Sequence, residues 1–243
     1  LHYHLLMRYF LTIVSLLVVL VAWWATGTTW RAPQAEEQPP TTAIYPPDFD
    51  KRLSRVTGVT LQRHAPLPAT LHWQTADEHP GIGSTDARKG GTVRLSNAGP
   101  FPAHFLRFGG AVQFFHRNLQ QATEIPLLAH HPLTQTATAG VASAWASDGN
   151  TVYFKLNPAA RYNNGCQVRA DDYLLALLLQ AEQQCAEFDT ISACISAAAS
   201  HGDSLLSVTL RKGADLLDAC RLLHAAEPGF YAAFNSRFRE YYA

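Results

Sequence analysis

The chain has a single methionine, Met7, and no two of its four cysteines (Cys166, Cys185, Cys194 and Cys220) stand at C-x-x-C spacing. The first scarcity makes Met7 the expected initiator, with residues 1–6 upstream of it. The second removes the usual pattern for structural zinc and for thioredoxin-like chemistry. Charge of one sign is also missing. The 19 basic and 19 acidic residues cancel, which disfavours a nucleic-acid partner. There is no G-x-S-x-G elbow, P-loop or Rossmann fingerprint, and Gly81-Ile82-Gly83 and Gly90-Gly91 are too sparse to cradle phosphates. No internal repeat is found.

The residues that invite a catalytic reading have simpler explanations. His130-His131 is the only adjacent pair among eleven histidines, and neighbouring side chains diverge on a helix or a strand, so the pair is expected in a solvated loop before Pro132. Asp171-Asp172 reads as carboxylates placed at the positive end of a helix. We therefore expect no enzyme activity, no catalytic residue, no metal and no cofactor. The cysteines fall in the part expected to be exported, where three pairings are open. Cys185 and Cys194 are the nearest pair and a bridge between them is feasible, while Cys220 lies on a helical pattern and equally suits a buried thiol.

What is present begins with an apolar, uncharged run at residues 10–24, after Arg8 and before the small residues Ala25-Thr26-Gly27 that suit signal peptidase. Residues 1–27 are read as upstream residues plus signal peptide, and the location as periplasmic. An uncleaved membrane anchor is the alternative, since tilt or bilayer thinning accommodates a run short of the roughly 20 residues that span comfortably. No cysteine lies near its end to accept a lipid. Residues 31–47 are rich in Pro, Thr, Glu and Gln and read as an extended linker, and residues 48–66 are ambiguous. Residues 28–66 are taken together as Pro-rich linker and ambiguous segment, and 67–243 as the folded part, for which a hydrophobic content of 47% suffices for a core.

That part reads as mixed α/β. Strands are expected at residues 91–96, 152–156 and 205–210, and helices at 110–121, 170–185 and 216–226, the last stopped by Pro228-Gly229. The most informative stretch is residues 141–173. Ser147-Asp148-Gly149-Asn150 is a tight turn in which Gly149 takes a positive φ, and Thr151 to Leu156 alternates as a strand does. Asn163-Asn164-Gly165 is a second turn, and Asp171 and Asp172 open a helix with a Leu-rich body. Trp145 and Tyr153 fall inside the alternating pattern and are read as core residues.

In order along the chain stand Val141-Ala142-Ser143-Ala144-Trp145, Asp148-Gly149, Phe154-Lys155-Leu156, Tyr162-Asn163-Asn164-Gly165 and Ala170-Asp171-Asp172. This set resembles the "LA-x-x-W", "DG", "F-x-L", aromatic-x-x-G and "A-x-D" series of the oligopeptide- and dipeptide-binding family of extracellular solute-binding proteins (family 5), the capture components of ABC importers. Upstream, His72-Trp73 and Lys89-Gly90-Gly91-Thr92 resemble that family's first strand. Arg169 stands where members usually have Thr and cannot cap by accepting an N–H, so either Asp171 takes over or the helix end is looser.

The resemblance implies the N-terminal lobe of a two-lobed, type II periplasmic-binding-protein fold. Members are about twice as long, so the chain is expected to be a fragment that lacks the second lobe. It also implies capture of a peptide or other small solute for an inner-membrane ABC permease, with ligand contact by an extended backbone at Gly99, Pro100 and Phe101. The alternative is a membrane-anchored envelope interaction or structural protein that captures no solute.

Overall fold

The structure is a computed structural model and describes residues 45–75 and 123–232, together with 84, 86, 88, 90–92, 94, 118 and 119. All fall within one compact unit, residues 40–243. The elements in order are α1 (Phe49–Leu53), β1 (Thr60–Gln62), β2 (Gln74–Thr75), β3 (Leu128–His130), β4 (Ala137–Ala139), β5 (Ala142–Asp148) and β6 (Thr151–Leu156). They continue with α2 (Ala170–Glu182), α3 (Ala186–Cys194), β7 (Ile195–Ser200), β8 (Leu205–Leu210), α4 (Leu216–Leu222) and α5 (Pro228–Ala232). The fold is mixed α/β: a six-stranded sheet in the order β1-β7-β8-β6-β5-β2, and a separate β3-β4 hairpin. Only the β1-β7 pairing is parallel in the large sheet.

The β5-β6 hairpin closes as its sequence demands. Asp148 pairs with Thr151, and Gly149 supplies a φ of 60° at the first position of the two-residue loop. On β6, Val152, Phe154 and Leu156 turn to the core and alternate with Thr151, Tyr153 and Lys155. Neighbouring strands need an irregularity to match. A register shift between Ala142 and Ala144 lets Ala142 and Trp145 face the same core although their spacing is odd. A shift between Ile195 and Ala197 does the same for Ile195 and Ala198.

Against this face lies α2. Every residue from Ala170 to Gln180 is buried, and a helix that is apolar nearly all round must be covered all round. The sheet supplies one cover through β7 and β8, and α1 and α3 supply others. The helix ends at Glu182 rather than reaching Cys185, because Gln184 turns left-handed (φ 52°) and Cys185 already caps the start of α3. Strand β8 falls on the expected residues, and β6 on the whole alternating run Thr151–Leu156.

Several expectations are corrected. Pro228 does not stop a helix but begins one, α5, where its missing N–H costs nothing, and the Glu227 carboxylate receives the amides of Gly229 and Phe230. Helix α4 ends earlier, at Leu222, and the chain then runs extended so that the Ala226 amide reaches the Asp172 carbonyl at 3.0 Å. The ambiguous residues 48–66 carry α1 and β1, with Phe49, Leu53, Val59 and Leu61 in the core. His131 is not solvated. It is buried, with Nδ1 3.1 Å from both the amide and the hydroxyl of Thr134. All four cysteines are free, and Cys185 and Cys194 sit at opposite ends of the nine-residue α3, about 13 Å apart at 1.5 Å per residue and far beyond disulfide reach.

Of the strand expected at 91–96, Gly91, Thr92 and Arg94 are described and carry no strand; of the helix expected at 110–121, Asn118 and Leu119 are described and helical. The apolar run at 10–24 lies outside the described residues. Among those described, no helix is long and apolar enough to cross a membrane.

Candidate functional site

Gly99, Pro100 and Phe101, the residues expected to contact ligand, lie outside the described residues. The densest polar constellation among the described residues is at the first turn of α2, where Asp171 and Asp172 are 6% and 0% exposed. Burying two adjacent carboxylates is costly unless each is fully engaged. Each is, by a different set of partners.

Asp171 takes a cation. Arg63, arriving from the end of β1, places Nε at 2.8 Å and a terminal nitrogen at 2.7 Å from Oδ2, while the Ser200 hydroxyl donates to Oδ1 at 2.6 Å. The guanidinium also lies over the rings of Tyr45 and Phe49, at 5.4 and 5.2 Å. Asp172 takes neutral donors. The Tyr45 hydroxyl donates to Oδ1 at 2.7 Å, and the Tyr162 hydroxyl and the Arg169 amide donate to Oδ2 at 2.9 and 2.8 Å. The helix is therefore capped by Asp172 reaching back to the Arg169 amide, and not by Asp171 or by a looser end.

Burial pushes the Asp172 carboxyl up to about 6, against the pull of that amide and the two tyrosine hydroxyls. Burial beside the carboxylate raises both tyrosines far above their ordinary range, so they remain donors at any physiological pH. The folded pKa of Asp172 lies above its unfolded value of 3.8, so its contribution to stability is complete below pH 3.8 and is lost as pH rises through about 6. Asp172→Asn is therefore expected to flatten the pH dependence of unfolding free energy between pH 4 and 6 by on the order of 2 kcal/mol. Urea titrations at half-unit steps check this, and an unchanged slope would refute it.

A second constellation lies at the β7-β8 turn. His201 Nδ1 is 2.8 Å from the Ala65 carbonyl, which can only accept, so Nδ1 carries a proton, and Nε2 lies 2.8 Å from the Ser207 hydroxyl. An oriented His beside a Ser hydroxyl is the geometry of an acyl-transfer pair. Ser207, however, sits mid-strand between Tyr153 of β6 and Ala199 of β7, so the ladders use the N–H groups of β8 that acyl transfer would need for its oxyanion. The pair acts as a latch joining the exit of β1 to the β7-β8 hairpin.

Trp145 is 8% exposed within the core; Tyr153 is equally buried but alternates to the opposite side of the sheet, 5.6 Å from the His201 ring. Cys220 is fully buried, and desolvation pushes its thiol up to about 12, away from nucleophilic use. Gln180 is 2% exposed with Oε1 unpartnered. Among the described residues, no group of three or more His, Cys, Asp or Glu is placed to hold a metal ion. The constellation at α2 thus binds the protein to itself. Sequence reading foresaw the aspartates but not Tyr45, Arg63 or Ser200, whose separations from them run from 29 to 127 residues.

No protein-family model matches the chain, and no curated protein matches it in sequence. Solved structures similar to it include a periplasmic oligopeptide-binding protein of an ABC transporter from Borrelia burgdorferi, at 14% identity and a TM-score of 0.43, over 53% of this chain and 30% of that one. OppA from Burkholderia pseudomallei is similar at 15% identity and a TM-score of 0.42, over 54% of this chain and 30% of the other. A dipeptide-binding protein from a Pseudoalteromonas, in complex with Met-Leu, is similar at 15% identity and a TM-score of 0.37, over 48% and 27%. The chain spans under a third of the length of each.

Proposed function

We propose that the chain is the N-terminal part of an exported solute-binding protein that captures peptide-like solutes for an inner-membrane ABC permease, without a chemical step. The observation that carries this reading is the ordered motif series of residues 141–173. Its Trp, Asp-Gly turn, alternating strand, Asn-Gly turn and Asp helix start form one continuous unit: β5, its two-residue loop, β6, the Tyr162-Gly165 turn and the first turn of α2. Each motif has a structural task in that unit, which is what a family's scaffold signature should have. The unit identifies a scaffold and leaves the ligand to other residues.

In this reading Gly99, Pro100 and Phe101 contact the bound solute, and capture is the closing of two lobes, each adding contacts that favour the closed state. One lobe supplies only part of those contacts, so the 243-residue chain alone should bind peptides in the millimolar range rather than the micromolar. An NMR titration with short peptides checks this: weak, saturable shifts that Phe101→Ala removes are expected. Micromolar affinity would refute the one-lobe reading, and the absence of any peptide-dependent shift would refute capture.

A further inference from the structure

The large sheet holds its edge strand β1 by its one parallel pairing. Strands β7, β8, β6 and β5 are joined by antiparallel ladders of five or more pairs, whereas β1 adds to β7 through three parallel pairs, Thr60 to Ala197, Leu61 to Ala198 and Gln62 to Ala199. The segment bearing β1 is bounded by two fastenings. At its far end the Ala65 amide donates to the Ser200 carbonyl at 2.9 Å and the Ala65 carbonyl accepts from His201, just after His64 takes a left-handed φ of 52°. At its near end Tyr45 stacks on Phe49 with centroids 5.2 Å apart, lies beneath Arg63, and donates its hydroxyl to Asp172.

Between the fastenings, the side-chain ties from the segment to the rest of the fold reach α2 and the residue just after β8. Arg52 pairs with Glu182 at the end of α2, Arg63 with Asp171 at its start, and the Gly58 carbonyl accepts from Arg211. Beyond Ala65 the chain leaves through mostly exposed residues that include Pro66 and Pro68, with no regular structure before Gln74.

We propose that residues 45–63 form a strap across α2 and the β7 edge that opens as a unit, with the Tyr45 hydroxyl on Asp172 as its latch and Ala65 as its hinge. The five remaining strands form a continuous antiparallel sheet without the strap, which is what allows it to lift while they stay paired.

Hydrogen exchange on the full chain tests this with Tyr45→Phe, which keeps the ring stack and removes only the latch. Peptides covering residues 45–62 should exchange on the order of tenfold faster, the effect of losing one hydrogen bond to a carboxylate, while β6 and β8 keep their rates. Leu53→Ala, which loosens the strap from its apolar side, should give the same regional pattern. Unchanged rates at 45–62 in both variants would overturn the proposal. So would acceleration spread evenly over the strap, β6 and β8, since that pattern is global unfolding.

Discussion

Gly140→Ala is expected to cost about 3 kcal/mol or more, or to prevent folding outright, although Gly140 has no positive φ to protect. The cause is space. A Cβ there would stand 2.0 Å from the Pro126 carbonyl oxygen and 2.9 Å from that of Leu127, and both are backbone atoms that cannot swing aside. The same two carbonyls accept from Gly140, Val141 and Ala142 at 3.2, 2.9 and 3.0 Å, so backing away from the clash breaks the bonds that lead the chain from the β3-β4 hairpin into β5. Gly165→Ala is the matched control. It has a φ of 85° but nothing within 4 Å, so only backbone strain of about 1 kcal/mol is expected. Guanidinium unfolding of the two variants checks the contrast, and equal losses would show that the close approach is not what constrains Gly140.

Asp171→Ala should be nearly as damaging, at about 3 kcal/mol, because it strands a cation. Arg63 has a side chain only 19% exposed and spends two nitrogens on Asp171; its remaining carboxylate neighbour, Asp50, is exposed and no closer than 3.4 Å. Ser200 loses its acceptor at the same time. Most of the cost comes from the unpaired charge, so Arg63→Met in the Asp171→Ala background should recover more than half of it, with the Met chain still covering Tyr45 and Phe49. A double-mutant cycle read from denaturation midpoints decides the matter. Additive losses would mean that the pair is not coupled.

The elements legible in the sequence are those whose determinants lie close together in the chain. The β5-β6 hairpin needs Gly149 between two alternating runs, β8 needs its β-branched and Leu pattern, and the start of α2 needs its acidic pair before a Leu-rich run, although the cap proved to be Asp172 and not Asp171. Strand β7 was not legible, because Ala197, Ala198 and Ala199 have little intrinsic preference for extended backbone and are held so by the ladders on either side, β1 and β8. The helical spacing of residues 216–226 was misleading for the opposite reason. Local pattern favours a longer helix, but the bond from the Ala226 amide to the Asp172 carbonyl takes the chain out of it. Within the α2 constellation the carboxylates were visible and their partners were not. No spacing rule ties Tyr45 or Arg63 to residues more than 100 positions away.

That separation also sets the order in which the protein can be assembled. Tyr45 and Asp172 are 127 residues apart, and β1 must wait for β7. At a synthesis rate of roughly 10 residues per second, the first segment exists for more than about ten seconds before its partners emerge. Through that interval Phe49, Leu53 and Leu61 have nothing to pack on, whereas β5 and β6 pair as soon as their own loop is made. The hairpin is thus the natural nucleus, and closing the parallel edge over a loop of that length is the late, slow step. A chain built this way leaves residues 45–62 without their packing partners until most of it has been made.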